Sequence, residues 1–161
     1  MEGAVFEVVY PNGNMLGSYS TDSSGTISIP VTVYGSYTVT ELTPPKNHLL
    51  PEVRTQRATV TATSPGVLTF WNAPYGSIRV HKVSSTGDNL EGVGITIKNL
   101  ETGETQTGKT GAGGVIEFTE LAPGGYEVRE TAGIKGYVLD AEATKTATVV
   151  TGETSEVTFV N

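Results

Sequence analysis

Apolar and polar residues alternate along most of the chain with a period of two, a pattern that predicts β-strands. The pattern is clearest in the second half, where turn sequences rich in Gly, Pro, Asp and Ser separate short alternating segments. The predicted strands are Ser77–Val83, Val93–Asn99, Val115–Thr119, Tyr126–Thr131, Tyr137–Asp140, Thr144–Val150 and Glu156–Asn161. About seven short strands at this spacing are typical of an antiparallel Greek-key β-sandwich.

The chain contains an internal repeat with a constant offset of 89 residues. The matching segments include Gly35–Glu41 with Gly124–Glu130 and Thr69–Asn72 with Thr158–Asn161. Because no net insertion or deletion separates them, we expect two tandem copies of one domain, comprising residues 1–73 and 74–161. At this offset the counterpart of the strand Ser77–Val83 falls before Met1, so the first copy is expected to lack its opening strand.

Composition supports β structure and excludes several classes of function. Val, Ile and Thr account for about a third of the chain, and their branched side chains favour strands. A formal charge of −7 repels nucleic acid and anionic lipid. No segment has the ~20 apolar residues of a membrane helix. Neither a nucleic acid nor a membrane is therefore expected as a partner. The absence of cysteine excludes disulfides and thiolate chemistry. No cofactor or metal is expected.

The sequence shows no arrangement for catalysis on an external substrate. His48 lies in a loop flanked by prolines and His81 on the outward face of a predicted strand, so no Ser-His-Asp triad can be identified. The segment Asp22–Gly25 lacks the spaced carboxylates of a calcium loop and is predicted to form a turn. We therefore do not expect an enzyme.

Three polar side chains fall on the inward faces of predicted strands. Residues two apart on a strand share a face, so Lys82, Glu130 and Asn161 each continue an inward apolar row. The rows consist of Ile78 with Val80, Tyr126 with Val128, and Val157 with Phe159. Burial of an uncompensated charge costs several kcal/mol, so the three groups should meet if they are buried. The alternatives are a buried ion pair with an amide partner, or strand ends whose side chains reach water.

At these residues the sequence resembles the B-type repeat domains of Gram-positive collagen-binding adhesins and the related domains of sortase-assembled pilins. The matching segments are Gly76–Lys82, Leu90–Val93, Gly124–Thr131, Lys135–Tyr137 and Val157–Asn161. They span the second copy, and the first copy matches from Met1 onward. One departure is Ala132–Ile134, where members of the family often carry a proline. The resemblance implies an all-β fold of two tandem prealbumin-like, Ig-related Greek-key sandwiches.

In that family a lysine of the opening strand and an asparagine of the closing strand are often joined by a spontaneous isopeptide bond, assisted by a glutamate. The resemblance implies that Lys82 is the nucleophile, Asn161 the electrophile and Glu130 the proton shuttle. An apolar surrounding favours this reaction because it lowers the pKa of a lysine and raises that of a carboxylic acid. In the first copy Glu41 and Asn72 occupy the equivalent positions without a lysine, so no intramolecular bond is expected there.

Without its opening strand, the first copy should expose strand edges and part of its core, which favours pairing with a strand donated by a neighbouring chain. Lys46, the only lysine of this copy, lies in the loop after the strand of Glu41 and is not expected to reach the pocket of that residue.

The resemblance also implies a structural function, as stalk or shaft domains of a Gram-positive surface adhesin or pilin. The N-terminus has no features of a signal peptide, so export and cell-wall attachment would depend on segments outside these residues. Other parts of the parent protein would bind a host extracellular-matrix protein. The alternative function is a β-sandwich module that itself binds a host protein or glycan, although only Trp71 and a few tyrosines are available to contact a sugar.

Overall fold

The computed structural model describes all 161 residues and contains eleven strands and no helix. The chain divides into two compact units, Met1–Pro74 (unit 1) and Tyr75–Asn161 (unit 2). Unit 1 contains β1 (Val5–Val9), β2 (Met15–Ser20), β3 (Gly35–Thr43) and β4 (Thr55–Val60). Unit 2 contains β5 (Gly76–Val83), β6 (Gly94–Asn99), β7 (Thr105–Lys109), β8 (Val115–Leu121), β9 (Gly124–Ala132), β10 (Thr144–Val149) and β11 (Thr154–Val160). The predicted all-β class is confirmed, and no segment forms a helix that could cross a membrane.

Unit 2 consists of a four-stranded sheet, ordered β10-β9-β6-β7, and a three-stranded sheet, ordered β11-β5-β8. All pairs are antiparallel except β5 with β11, which are parallel. A parallel pair needs a long connection between its strands. Here β5 and β11 are the first and last strands of the unit, so the rest of the unit forms that connection. The sandwich is therefore antiparallel as predicted, apart from this one pair.

The core of unit 2 lies between the two sheets and follows the alternation of the sequence. Ile78 and Val80 of β5 are fully buried against residues such as Val128 of β9. On the outer face, Arg79 of β5 forms ion pairs with Glu117 of β8 and Glu156 of β11, at 3.2 and 3.3 Å. Exposed pairs of this kind contribute about 0–1 kcal/mol each, so burial of the apolar row dominates the stability of this sheet.

Unit 1 forms only the four-stranded sheet, ordered β2-β1-β3-β4. The repeat is visible in its register, because Gly35 faces Val60 as Gly124 faces Val149. The segments equivalent to β8 and β11, residues 26–32 and 65–71, form no strand. In unit 2 both of these strands pair with β5, whose counterpart is absent from unit 1. The expectation that the first copy lacks its opening strand is confirmed, and the loss extends to the whole second sheet.

Two details of the strand prediction were wrong. The segment Tyr137–Asp140 is part of the loop between β9 and β10, and its apolar side chains are exposed. The polar edge strand β7 was not predicted. Neither face of β7 is buried, so its sequence lacks the alternation that reveals a strand.

The close packing of Gly76 at the start of β5 gives a test of this architecture. A Cβ atom on Gly76 would lie 2.4 Å from the carbonyl oxygen of Val150 and 2.6 Å from Cγ1 of Val149. Gly76→Ala should therefore destabilise unit 2 by about 1–3 kcal/mol in chemical denaturation. Gly113→Ala is the matched control, because no atom lies within 4 Å of its added Cβ. Equal stability of the two variants would contradict the described packing.

Candidate functional site

Lys82, Glu130 and Asn161 come together in the interior of unit 2. Lys82 lies near the end of β5, Glu130 on β9 of the opposite sheet, and Asn161 directly after β11. Nζ of Lys82 donates to Oδ1 of Asn161 at 2.5 Å and lies 3.7 Å from Oε2 of Glu130. Nδ2 of Asn161 donates to Oε1 of Glu130 at 2.9 Å. Each of the three side chains thus contacts the other two.

The parallel pairing of β5 and β11 places the lysine and the asparagine beside each other. Lys82 is the register partner of Phe159, and Asn161 follows two residues later. The backbone N–H of Asn161 donates to the carbonyl oxygen of Val83, and the carbonyl oxygen of Asn161 accepts from the N–H of Ser85. These hydrogen bonds hold the end of the chain against the end of β5.

Burial changes the chemistry of the amine. The side chain of Lys82 is 0% exposed. Burial lowers the pKa of Lys82, and this effect outweighs the opposing attraction of the Glu130 and Asp140 carboxylates. A lowered pKa increases the fraction of neutral amine at neutral pH, and only the neutral amine is a nucleophile.

Asp140 is a neighbour of this site that the sequence analysis missed. Its Oδ2 accepts a hydrogen bond from the N–H of Val160 at 2.9 Å, and its own N–H donates to Oε2 of Glu130 at 3.3 Å. Burial acts to raise the pKa of Asp140, but the hydrogen bonds from the backbone of Val160 and Glu142 lower it overall. Asp140 therefore connects the loop after β9 to the end of β11.

A single carboxylate in a loop belongs to no periodic pattern of residues. Because Tyr137–Asp140 was predicted to be a strand, nothing in the sequence indicated that Asp140 lies beside Glu130 and Val160. The repeat offered one signal. The residue of unit 1 equivalent to Asp140 is Pro51, so the two copies differ at this position in both charge and hydrogen-bonding capacity.

Unit 1 contains two of the three groups. Glu41 is fully buried, and its Oε1 accepts a hydrogen bond from Nδ2 of Asn72 at 2.7 Å. Nδ2 of Asn72 also donates to the carbonyl of Leu49 at 3.0 Å. Oε2 of Glu41 is buried without a hydrogen-bond partner. Lys46 is exposed, in agreement with its expected position in a solvated loop.

The remaining candidates have structural explanations. Asp22 accepts hydrogen bonds from the backbone N–H groups of Ser24 and Thr26, so the segment forms the predicted turn. The structure contains no group of three His, Asp or Glu side chains that could hold a metal ion.

Unit 2 is a complete two-sheet sandwich, and unit 1 repeats its four-stranded sheet. Both units hold a buried carboxyl beside an asparagine. These features define a tandem all-β protein of the prealbumin-like class. The profile of the family described as SpaA, prealbumin-like fold domain, matches residues 1–74 and 76–161. The chain belongs to this family, which confirms the resemblance to adhesin and pilin B-type domains.

Solved structures show the same fold. The Bacillus anthracis TIE protein is 27% identical with a TM-score of 0.51, and the match covers 100% of this chain and 30% of that protein. A streptococcal ancillary pilin is 19% identical with a TM-score of 0.51, covering 100% and 58% of the two chains. The shaft pilin spaA from Lactobacillus rhamnosus GG is 12% identical with a TM-score of 0.53, covering 99% and 88%. No curated protein sequence matches significantly.

The buried carboxyl of unit 1 predicts a pH dependence. Burial raises the pKa of Glu41, although the hydrogen bond from Asn72 acts in the opposite direction. The folded state therefore binds more protons than the unfolded state above the ordinary carboxyl pKa of about 4.5. The contribution of Glu41 to stability should be fully present below this pH and decrease as pH rises to the higher, folded-state pKa.

Glu41→Gln should remove this decrease. The measurement is thermal unfolding at several pH values, followed by the NMR signals of Phe6 and Val8 in unit 1. Glu52→Gln is the matched control, because Glu52 is exposed. An unchanged pH profile in Glu41→Gln would show that the Glu41 carboxyl does not titrate differently on folding.

Proposed function

We propose that this chain supplies structural domains of the stalk or shaft of a Gram-positive cell-surface adhesin or pilin, located outside the cell and attached to its wall. We further propose that unit 2 is stabilised by a spontaneous intramolecular isopeptide bond between Lys82 and Asn161, with Glu130 as the proton shuttle. Family membership supports the structural role. The single observation that supports the bond is the contact of a buried amine with the side-chain amide of Asn161 beside a buried carboxyl.

The geometry suits attack of the amine on the amide. Cγ of Asn161 is bonded to Oδ1 at about 1.2 Å, so Nζ of Lys82 lies no more than about 3.7 Å from this carbon. This separation is close to that of a near-attack arrangement, and a rigid core keeps the two groups in place.

The reaction releases one ammonia molecule. The neutral amine of Lys82 attacks Cγ of Asn161, the new C–N bond forms, and the bond from Cγ to Nδ2 breaks. Glu130 accepts a proton from the attacking nitrogen and delivers it to Nδ2, to which Oε1 is already hydrogen-bonded. One of the two amine protons remains on the new amide and the other leaves with ammonia, so no cofactor or external reactant is needed.

The bond would also determine how unit 2 carries tension. A pull between Tyr75 and Asn161 would pass along β5 and across the bond, because Lys82 and Asn161 are joined. Residues 83–160 would then carry none of the load and could not be extended. A chain without cysteine has no disulfide to perform this function, so the isopeptide bond is well matched to a stalk.

The mass of the intact chain tests the bond directly. We expect the purified protein to be lighter than its sequence by one ammonia, and Glu130→Ala to have the full mass because proton transfer is lost. Glu41→Ala is the matched control, since it removes the equivalent carboxyl of unit 1 and should retain the deficit. Circular dichroism should verify that each variant is folded. A full mass for the unaltered protein would refute the bond.

The stability of unit 2 gives a second test. The bond closes a loop of roughly 80 residues, and the chain-entropy account of crosslinks predicts a contribution of roughly 4.5 kcal/mol. Lys82→Met preserves an unbranched side chain but cannot form the bond, so its free energy of unfolding should fall by about this amount in chemical denaturation. Lys98→Met, an exposed substitution on β6, is the control. Equal stability of the two variants would indicate that no crosslink contributes.

A further inference from the structure

β11 is an edge strand of the three-stranded sheet, so its backbone groups on the side away from β5 have no strand partner. Just before Asn161, two of these groups are satisfied by side chains instead. The carbonyl oxygen of Thr158 accepts from Nζ of Lys145 at 2.8 Å, and the N–H of Val160 donates to Oδ2 of Asp140 at 2.9 Å. The end of β11 is therefore held from its open side as well as by β5.

Lys145 and Asp140 also contact each other. Nζ of Lys145 lies 3.6 Å from Oδ2 of Asp140 and 5.0 Å from the centroid of the Phe159 ring. Both side chains are largely shielded, with 28% of Lys145 and 12% of Asp140 exposed. Hydrogen bonds in which one partner is charged are the stronger ones, and here an ammonium and a carboxylate each form one with β11. The pair thus connects β10 and the loop before it to the last residues of β11.

The same loop fixes the carboxyl of Glu130. Oε1 of Glu130 accepts from Nδ2 of Asn161 at 2.9 Å, and Oε2 accepts from the N–H of Asp140 at 3.3 Å. Because each oxygen has its own donor, the orientation of the carboxyl is determined. In unit 1, Oε2 of Glu41 has no partner, and Pro51 at the position of Asp140 has no N–H to donate.

The repeat shows which of these contacts are particular to unit 2. In unit 1 the residue equivalent to Lys145 is Gln56, and its Nε2 donates at 2.9 Å to the carbonyl oxygen of Thr69, the equivalent of Thr158. This side-chain hydrogen bond therefore occurs in both units. The carboxylate that accepts from the closing strand occurs only in unit 2, because Pro51 has no side-chain oxygen. The charged pair is thus found only in the unit that also has the amine.

We propose that Asp140, with Lys145 as its partner, is a positioning residue for the bond-forming reaction of unit 2. This inference rests on the proposed function, because it concerns the bond proposed there. The carboxylate of Asp140 fixes the backbone directly before the electrophile Asn161, and its N–H fixes the carboxyl of the proton shuttle Glu130. Asp140 forms no hydrogen bond to the attacking amine, so its removal should slow the reaction without abolishing it.

The rate of ammonia loss in newly made protein measures this role. The full chain is made by cell-free translation, synthesis is stopped, and the fraction with the mass deficit is followed with time. We expect Asp140→Ala to react more slowly by a factor of roughly 10–100, because misplacement of reacting groups by ~1 Å costs about 10²-fold. Asp140→Asn keeps an acceptor oxygen for the N–H of Val160 and should recover part of the rate. Lys98→Met, exposed on β6, is the control and should react as the unaltered chain does.

The repeat supplies a matched pair of variants for Lys145. Lys145→Gln introduces the side chain that forms the equivalent hydrogen bond in unit 1, whereas Lys145→Met is unbranched and has no donor. We expect Lys145→Met to lose ammonia more slowly than Lys145→Gln. Equal rates for these two variants would overturn the role assigned to Lys145. This pair also decides the question if Asp140→Ala does not fold.

The Lys82→Met background separates positioning from a purely structural role, because it cannot form the bond. In this background, chemical denaturation gives the folded fraction of unit 2 with and without Asp140→Ala. While almost all chains remain folded, a loss of stability cannot by itself slow a reaction of the folded state. The amide of Val160 should also exchange faster in Asp140→Ala, because it loses its acceptor. An unchanged rate of ammonia loss, or one that falls only in proportion to the folded fraction, would overturn the inference.

The same time courses separate this inference from the proposed function. If the unaltered chain loses ammonia and Asp140→Ala loses it at the same rate, only the positioning role is contradicted. If the unaltered chain never loses ammonia, the bond proposed for unit 2 is contradicted, and the positioning role with it.

Discussion

The burial of one amine is the constraint on which the rest of unit 2 depends. An isolated charge in an apolar interior costs several kcal/mol, so Lys82 is tolerated only beside groups that compensate it. Those groups are the carboxyl of Glu130 and the amide of Asn161, which come from the opposite sheet and from the end of the chain. The first strand, the last strand and the facing sheet must therefore converge at this point.

The two copies show how much of the sandwich depends on a single strand. The four-stranded sheet forms with the same order and register in both units. The three-stranded sheet forms only where β5 is present, because β8 and β11 have no partner in that sheet other than β5. In unit 1 the equivalent segments are in the sequence, but they lack the central strand that would supply their backbone hydrogen bonds.

This dependence relates the fold of unit 2 to the mechanical role proposed for it. In unit 2 the strand that pairs with both β8 and β11 also carries the buried amine of Lys82. That strand supplies the backbone partners of β8 and β11, contributes Ile78 and Val80 to the core, and places the amine beside the amide of Asn161. The proposed bond would thus form only in a correctly folded domain, since proximity and desolvation both require the finished core.

The sequence alone determined the all-β class, the repeat and its offset, and the inward position of Lys82, Glu130 and Asn161. These features follow from alternation and self-similarity, which are properties of neighbouring positions in one chain. The edge strand β7, the exposed loop at Tyr137–Asp140, the parallel pairing of β5 with β11 and the contacts of Asp140 were decided only by the tertiary structure. Each depends on which segments of the chain contact one another in the folded unit. A local pattern of residues does not contain information about contacts between distant segments.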